Sequence, residues 1–152
     1  MADDPSRYYA VPDPNHQDQI TYWRKDKRGN LRPWPPKARY GPVLLRRDVP
    51  PDMPPQDRNE WVRGWYREHA YPWHDAIRAT IDTEPELCLA RFATFTSRCC
   101  WCGRTLTDAA SKTYGIGPDC RSGLSDNLLA ALANGTGKAH AEYLKELREA
   151  SA

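Results

Sequence analysis

Cys99-Cys100-Trp101-Cys102-Gly103-Arg104-Thr105-Leu106-Thr107-Asp108, then Ser111, then Tyr114-Gly115-Ile116-Gly117-Pro118-Asp119-Cys120, is the stretch on which the fold of this chain turns. Cys99 and Cys102 have the C-x2-C spacing that lets a tight knuckle aim two thiolates at one ion, and the glycine behind them accepts a turn conformation that other residues resist. After 17 intervening residues Gly-Ile-Gly-Pro brings in Cys120. Pro118 suits the first position of a short helix, so Cys120 falls in its first turn, where a helix N-terminus favours a thiolate. A knuckle, a hairpin and a ligand at a helix start predict a treble-clef-like module, and thiolates in a tetrahedron suit Zn2+.

Three ligands leave a gap, because the position three residues after Cys120 is Gly123. Cys100 is nearest in sequence and joins Cys99, Cys102 and Cys120 in the candidate metal set, although adjacent residues of a knuckle tend to point apart. Cys88, His69, His74, His140 or a water are the other candidates. Three cysteines within four residues beside glycine and arginine make poor core material, which disfavours the reading of ordinary buried thiols. A thioredoxin-type redox pair needs a strand-to-helix setting, whereas Gly103-Arg104-Thr105-Leu106 reads as a hairpin. An open catalytic zinc lacks a neighbouring general base.

As it stands at residues 99–120, Cys-x2-Cys-Gly-Arg-x-Leu-Thr-Asp-x2-Ser-x3-Gly-Ile-Gly-Pro-x-Cys resembles the signature of short, presumed zinc-binding modules of actinobacterial and bacteriophage proteins, domain of unknown function 6011. The resemblance covers about a quarter of the chain with its flanks. It implies a zinc module and a phage-related origin, and it implies no activity.

Upstream, residues 7–12 and 19–24 are rich in aromatic and β-branched residues and are separated by the turn formers Asp13-Pro14-Asn15-His16, which predicts a β-hairpin or small meander. A turn at 27–30 leads to Leu31-Arg32-Pro33-Trp34, and Pro42-Val43-Leu44-Leu45-Arg46 offers one more short strand. Most of the 14 prolines precede residue 56 and block regular helix there. From residue 57 the period becomes helical. Asp57 with Glu60 matches a capping box and predicts a helix over 57–69, ended before Pro72. A second helix then carries Trp73, Ile77 and Ile81 on one face, and Thr83 with Glu86 opens a third toward Phe95. Trp61, Trp65 and Trp73 are expected to pack in the core. Beyond Cys120, Ser125 caps a helix that Asn134-Gly135 should terminate, and Thr136 opens the last one.

The expected fold is therefore α+β, with four segments: a proline-rich basic and aromatic β segment over 1–55, a helical segment completing the core over 56–95, the zinc module over 96–124, and a helical tail over 125–152. At 152 residues with 39% hydrophobic content, the core is modest and a metal staple helps it. No run reaches the roughly 18 apolar residues of a membrane span. Met1-Ala2-Asp3-Asp4-Pro5 is acidic and unlike a signal peptide, and five cysteines, an odd number with four between Cys88 and Cys102, suit metal ligation better than disulfides. The expectation is a cytoplasmic protein.

Net charge is +2, but it is unevenly placed: −3 over residues 1–19, +8 over 20–47, −5 over 48–90, +3 over 91–124 and −1 over 125–152. The first basic block holds Arg24, Lys25, Lys27, Arg28 and Arg32 among aromatics such as Tyr22, Trp23 and Trp34. The zinc module adds Arg98, Arg104, Lys112 and Arg121. Cations neutralise phosphates while aromatic faces stack on bases, so nucleic acid, single-stranded or structured, is the expected partner if the two blocks share one face. The competing reading is a solvated basic hairpin whose arginines pair with the acidic helices of 48–90, in a protein-interaction module that uses its extended proline segments. No phosphate loop, nucleophile elbow or paired carboxylates indicate an enzyme, no small-molecule substrate is indicated, and His16 and His74 read as surface or packing residues.

Overall fold

The computed structural model describes residues 6–151; the expectation placed on Met1–Pro5 lies outside them. The chain is α+β. The aromatic segments form an antiparallel sheet in the order β1 (Arg7–Pro12), β2 (Ile20–Lys25), β3 (Leu31–Pro33). Tyr9 lies opposite Trp23 and Tyr8 opposite Arg24, so the two rows of alternating side chains face opposite ways. Helices cover both faces. Trp23 meets Trp73 of α2 (Tyr71–Thr83) on one side, with ring centroids 6.0 Å apart. On the other, Tyr8 and Tyr22 meet Phe92 of α3 (Pro85–Thr96) at 5.0 and 6.2 Å. Trp34, just past β3, leans edge-on against Phe92, Tyr8 and Tyr22 and extends this second aromatic layer.

Buried polar groups fix the hairpin. The Thr21 hydroxyl donates to the Val11 carbonyl at 2.7 Å and accepts from the Trp23 indole at 2.7 Å. The Trp73 indole donates to the Asp13 carboxylate, which also accepts from the Asn15 amide, so the β1–β2 turn is tied to a helix 60 residues away. The approach of the next loop is equally tight: Gly41 stands at φ 88, and a Cβ there would lie 2.8 Å from the Trp73 ring.

Several expected boundaries are corrected. Residues 42–46 form no strand; a 3₁₀ turn at Arg46–Asp48 begins at the last of them. The helix expected over 57–69 begins as α1 (Pro55–Trp65), with Pro55 at its first position and no side-chain cap, so the Asp57 and Glu60 box is unused. Pro72 does not end it. A π turn over Tyr66–Ala70, in which the Tyr71 amide reaches back to the Tyr66 carbonyl, absorbs the missing proline donor and joins α1 to α2. No residue of α1 is buried, so Trp61 and Trp65 are only half-covered and stand outside the core, unlike Trp73. Likewise α3 starts at Pro85 without using the Thr83 box.

The largest correction is at Asn134-Gly135, where one helix, α6 (Asp126–Ser151), runs straight through. Gly135 is there for closeness, not termination: a Cβ on it would come within 3.1 Å of the Glu86 carbonyl oxygen and 3.2 Å of the Ala90 Cβ. Further along the same contact, Arg91, 7% exposed, holds Glu142 through two bonds of 3.0 and 3.2 Å, and Phe95 meets the Tyr143 ring at 5.9 Å.

Two glycines of α6 test this contact. Alanine in place of exposed Gly137, where a Cβ meets nothing within 4 Å, should stabilise the protein by about 0.5–1 kcal/mol through helix propensity. Gly135→Ala should forfeit that gain and destabilise by about 1 kcal/mol, because the Glu86 backbone cannot retreat. Urea unfolding of the two variants measures the difference, and equal gains would show that α3 and α6 do not touch there.

Candidate metal centre

Helix α3 ends at Ser97, which stands in the left-handed region at φ 56 and turns the chain into the knuckle. A minimal hairpin follows, with Arg98 bridged to Thr105, the Leu106 amide bonded to the Ser97 carbonyl at 2.8 Å and the Cys99 amide to the Arg104 carbonyl at 2.7 Å. The Gly103 amide closes the turn on the Cys99 carbonyl at 2.8 Å.

What comes next is a helix that the cysteine spacing does not reveal, α4 (Ala109–Tyr114). Its signal is present in the sequence: Asp108 is the N-cap and accepts from the Ser111 amide at 3.0 Å, and Gly115 ends the helix at φ 72. Gly115 also lets the loop press on α3, since a Cβ would stand 2.8 Å from that of Ala93. Ile116 plugs into the core with no exposure, and Pro118 opens α5 (Pro118–Arg121), which carries Cys120.

The thiols of Cys99, Cys102 and Cys120 converge, all three sulfurs lying within 4.8 Å of one another. Sulfurs around a tetrahedral ion at about 2.3 Å would be about 3.8 Å apart, so the cluster can hold a metal ion with small adjustment. The Cys99 sulfur is buried and accepts the amides of Trp101, Cys102 and Gly117, each at 3.4 Å. Burial opposes ionisation of this thiol, but the three amides outweigh it and hold its pKa below the ordinary value. Cys120 is pushed up to about 12, by burial first and then by the neighbouring Cys99 and Cys102 sulfurs. Sulfurs that crowd one another in this way are what a divalent cation relieves. Cys102 is exposed, so the cluster opens to solvent on that side.

The other candidate ligands lie elsewhere among the described residues. Cys100 points away from its neighbour into the hydrophobic core, fully buried, and burial followed by the Cys99 charge pushes its thiol well above the ordinary range. It is not part of the three-sulfur cluster. Cys88 is also buried, its sulfur within 3.8 Å of the Arg91 guanidinium and its pKa pushed up to about 11 by burial. His69 packs on Trp65, His74 on Trp23 and Trp73, and His140 is exposed on α6.

The candidate cations separate into groups. Tyr8, Arg24 and Arg32 form one row across the three strands. The Arg24 guanidinium lies 5.8 Å from the Tyr8 ring and that of Arg98 5.8 Å from the Trp34 ring, so one rim of the sheet joins cations of both basic blocks. Lys25 ends β2, Lys27 and Arg28 lie on the β2–β3 turn, and Arg104 is exposed beside the knuckle. Arg32 is partly neutralised by Asp26 at 3.1 Å. Lys112 is exposed on α4. Arg121 serves the architecture instead. Its guanidinium donates to the Ser111 hydroxyl at 2.9 Å and the Ile116 carbonyl at 2.8 Å and so braces α5 against α4. Among the described residues the ion pairs are Arg32–Asp26, His69–Glu68, Arg78–Asp75 and Arg91–Glu142, so no cation of 20–47 is paired with an acid of 48–90.

Replacing Cys99, Cys102 or Cys120 by alanine should abolish metal uptake, whereas Cys100→Ala should keep it and only lower stability by about 1–2 kcal/mol. Uptake must displace the proton of Cys120, so apparent affinity should fall roughly tenfold per proton for each pH unit of acidification. Competition with a chelator at several pH values measures both; metal retained by Cys120→Ala at wild-type affinity would refute the assignment.

No curated protein and no solved structure matches the chain. No described helix is long and apolar enough to cross a membrane. Residues 89–125, from Leu89 in α3 to Ser125, match the model of the family of unknown function DUF6011, and this segment contains the knuckle, α4 and α5.

Proposed function

We propose that this is a cytoplasmic, non-catalytic accessory protein in which Zn2+ held by Cys99, Cys102 and Cys120 braces a surface that binds single-stranded or structured nucleic acid. A phage-related origin belongs to the same reading and rests on the family resemblance. Zinc is favoured by a cluster of three thiolates at knuckle spacing. The buried thiols of Cys88 and Cys100, both pushed upward by burial, suit packing rather than nucleophilic chemistry.

The observation that carries the nucleic-acid reading is the meeting of Arg98, from the zinc module, with Trp34, from the amino-terminal basic block, at the rim that also holds Tyr8 and Arg24. Cationic side chains there can take phosphates while the uncovered part of Trp34, a partly buried ring, takes an unpaired base. Among the described residues no cation of the basic block forms an ion pair with the acidic helices, which favours this reading over a hairpin whose arginines pair with them.

A second reading has its own support. α1 buries none of its residues, Trp61 and Trp65 are only partly buried, and Trp65 lines the same cleft as Val43, which is 59% exposed. Such a face suits a protein partner.

Fluorescence anisotropy with short single-stranded DNA and RNA tests the first reading. Binding should weaken steeply with salt, log affinity against log salt having a slope of about −0.7 for each phosphate engaged. Trp34→Ala should weaken binding on the order of tenfold or more, and Arg24→Gln should flatten the slope by about 0.7. Absence of salt-sensitive binding at micromolar protein would sink it, and a complex that survives nuclease but is lost in Trp65→Glu would establish the second.

A further inference from the structure

Arg98 lies between the metal cluster and the stacking residue. Its guanidinium donates to the Gly103 carbonyl at 2.9 Å and stands 5.8 Å from the centre of the Trp34 ring. Gly103 directly follows Cys102 and holds a left-handed backbone at φ 81. A Cβ on Gly103 would lie 3.0 Å from the phenol carbon and oxygen of Tyr8, so the knuckle rests on the ring that Arg24 also faces. Tyr8 and Trp34 are in turn edge to face, 6.2 Å apart. One short route therefore runs from the second thiol ligand to both cation–aromatic pairs of the rim.

Anchoring the Cys102 sulfur on an ion restricts the peptide that follows it. With the direction of the Gly103 carbonyl fixed, the Arg98 guanidinium has a fixed acceptor and its rotamers narrow to those that lie over Trp34. On the backbone side Gly103 is held by its amide bond to the Cys99 carbonyl at 2.8 Å, so anchoring Cys102 adds a second restraint on the direction of the Gly103 carbonyl. We propose that the ion and single-stranded nucleic acid bind cooperatively, with Arg98 the positioning residue that couples them through the Gly103 carbonyl. This rests on the nucleic-acid reading above and adds its regulation: the rim binds tightly only when the knuckle is loaded. Linkage requires the effect to be mutual, so nucleic acid must tighten metal binding by the same factor.

The test is a linkage cycle on the full chain. The affinity for a labelled single-stranded oligonucleotide is measured with zinc and after chelation, and the affinity for zinc with and without the oligonucleotide, for wild type, Arg98→Ala and Arg98→Lys. In wild type, chelation should weaken oligonucleotide binding at least about fivefold, and the oligonucleotide should raise zinc affinity by the same factor. Arg98→Ala should still take up zinc with wild-type affinity, while the coupling factor falls to about one. Arg98→Lys should keep the salt slope but lose the coupling, because a point charge lacks the planar fork. A purely structural role for the metal predicts otherwise: loss of the module's fold on chelation would leave the coupling factor unchanged in both variants. That result, or wild type binding the oligonucleotide equally with and without zinc, would overturn the inference. Failure of zinc-loaded wild type to bind any oligonucleotide would remove the underlying reading, and the inference with it.

Discussion

At residues 99 and 100 one stretch of backbone has to serve two environments at once, and the remaining structure is arranged around that division. The Cys99 sulfur gathers three amides and faces the other two thiols of the cluster. Cys100 turns the other way into the core, where its amide meets the Gly115 carbonyl at 3.0 Å and its carbonyl accepts from Tyr8 in β1 at 2.8 Å. Sheet, α3 and metal module are thus joined at a dipeptide whose two side chains play different parts. A buried thiol with a raised pKa behaves as a small hydrophobe, and one surrounded by amide donors gives up its proton more readily. The difference lies in the hydrogen bonds, since the residue type is the same.

The sheet has little to offer a ligand through its faces, because α2 covers one and α3 the other. Toward one end of the α3 face the cover is less complete. Rings and guanidinium groups alternate there from exposed Arg24 through Tyr8 and Trp34 to Arg98, and among the described residues no ion pair joins these cations to an acid of the helices. A near-zero total charge is therefore compatible with a strongly basic strip, since screening over distance limits what a remote carboxylate can cancel.

Much of this was legible in the residues themselves. The C-x2-C-G knuckle, the Gly-Ile-Gly-Pro entry to Cys120 and the aromatic hairpin carry local signals whose geometry is fixed within a few residues, and the three-sulfur cluster and the β1–β2–β3 sheet follow them. The misreadings share a different cause. Asn134-Gly135 looks like a helix end because glycine usually marks one, and only the proximity of Glu86 and Ala90 shows that it serves close packing. Pro72 looks like a break because the π turn that absorbs it depends on the helix on either side. Trp61 and Trp65 look like core because period alone cannot say whether a helical face meets anything. Asp108 and Ser111 were visible as residues, but their cap and the hydroxyl offered to Arg121 needed α4 and α5 side by side.

The pairing of α3 with α6 has a topological consequence. Contacts advance in step along both helices, from Glu86 against Gly135 to Arg91 against Glu142 and Phe95 against Tyr143, so the two run in the same direction. Parallel neighbours cannot be joined by a tight turn; the chain must travel back along the length it has just traversed before it can set out again. Residues 97–125 are that return path, and the sulfur cluster pins its outward leg to its homeward one. Cross-linking a loop of this size removes about 3 kcal/mol of chain entropy from the unfolded state. An ion at the cluster would therefore act as a clasp on a crossover, shortening the detour that the fold obliges the chain to make.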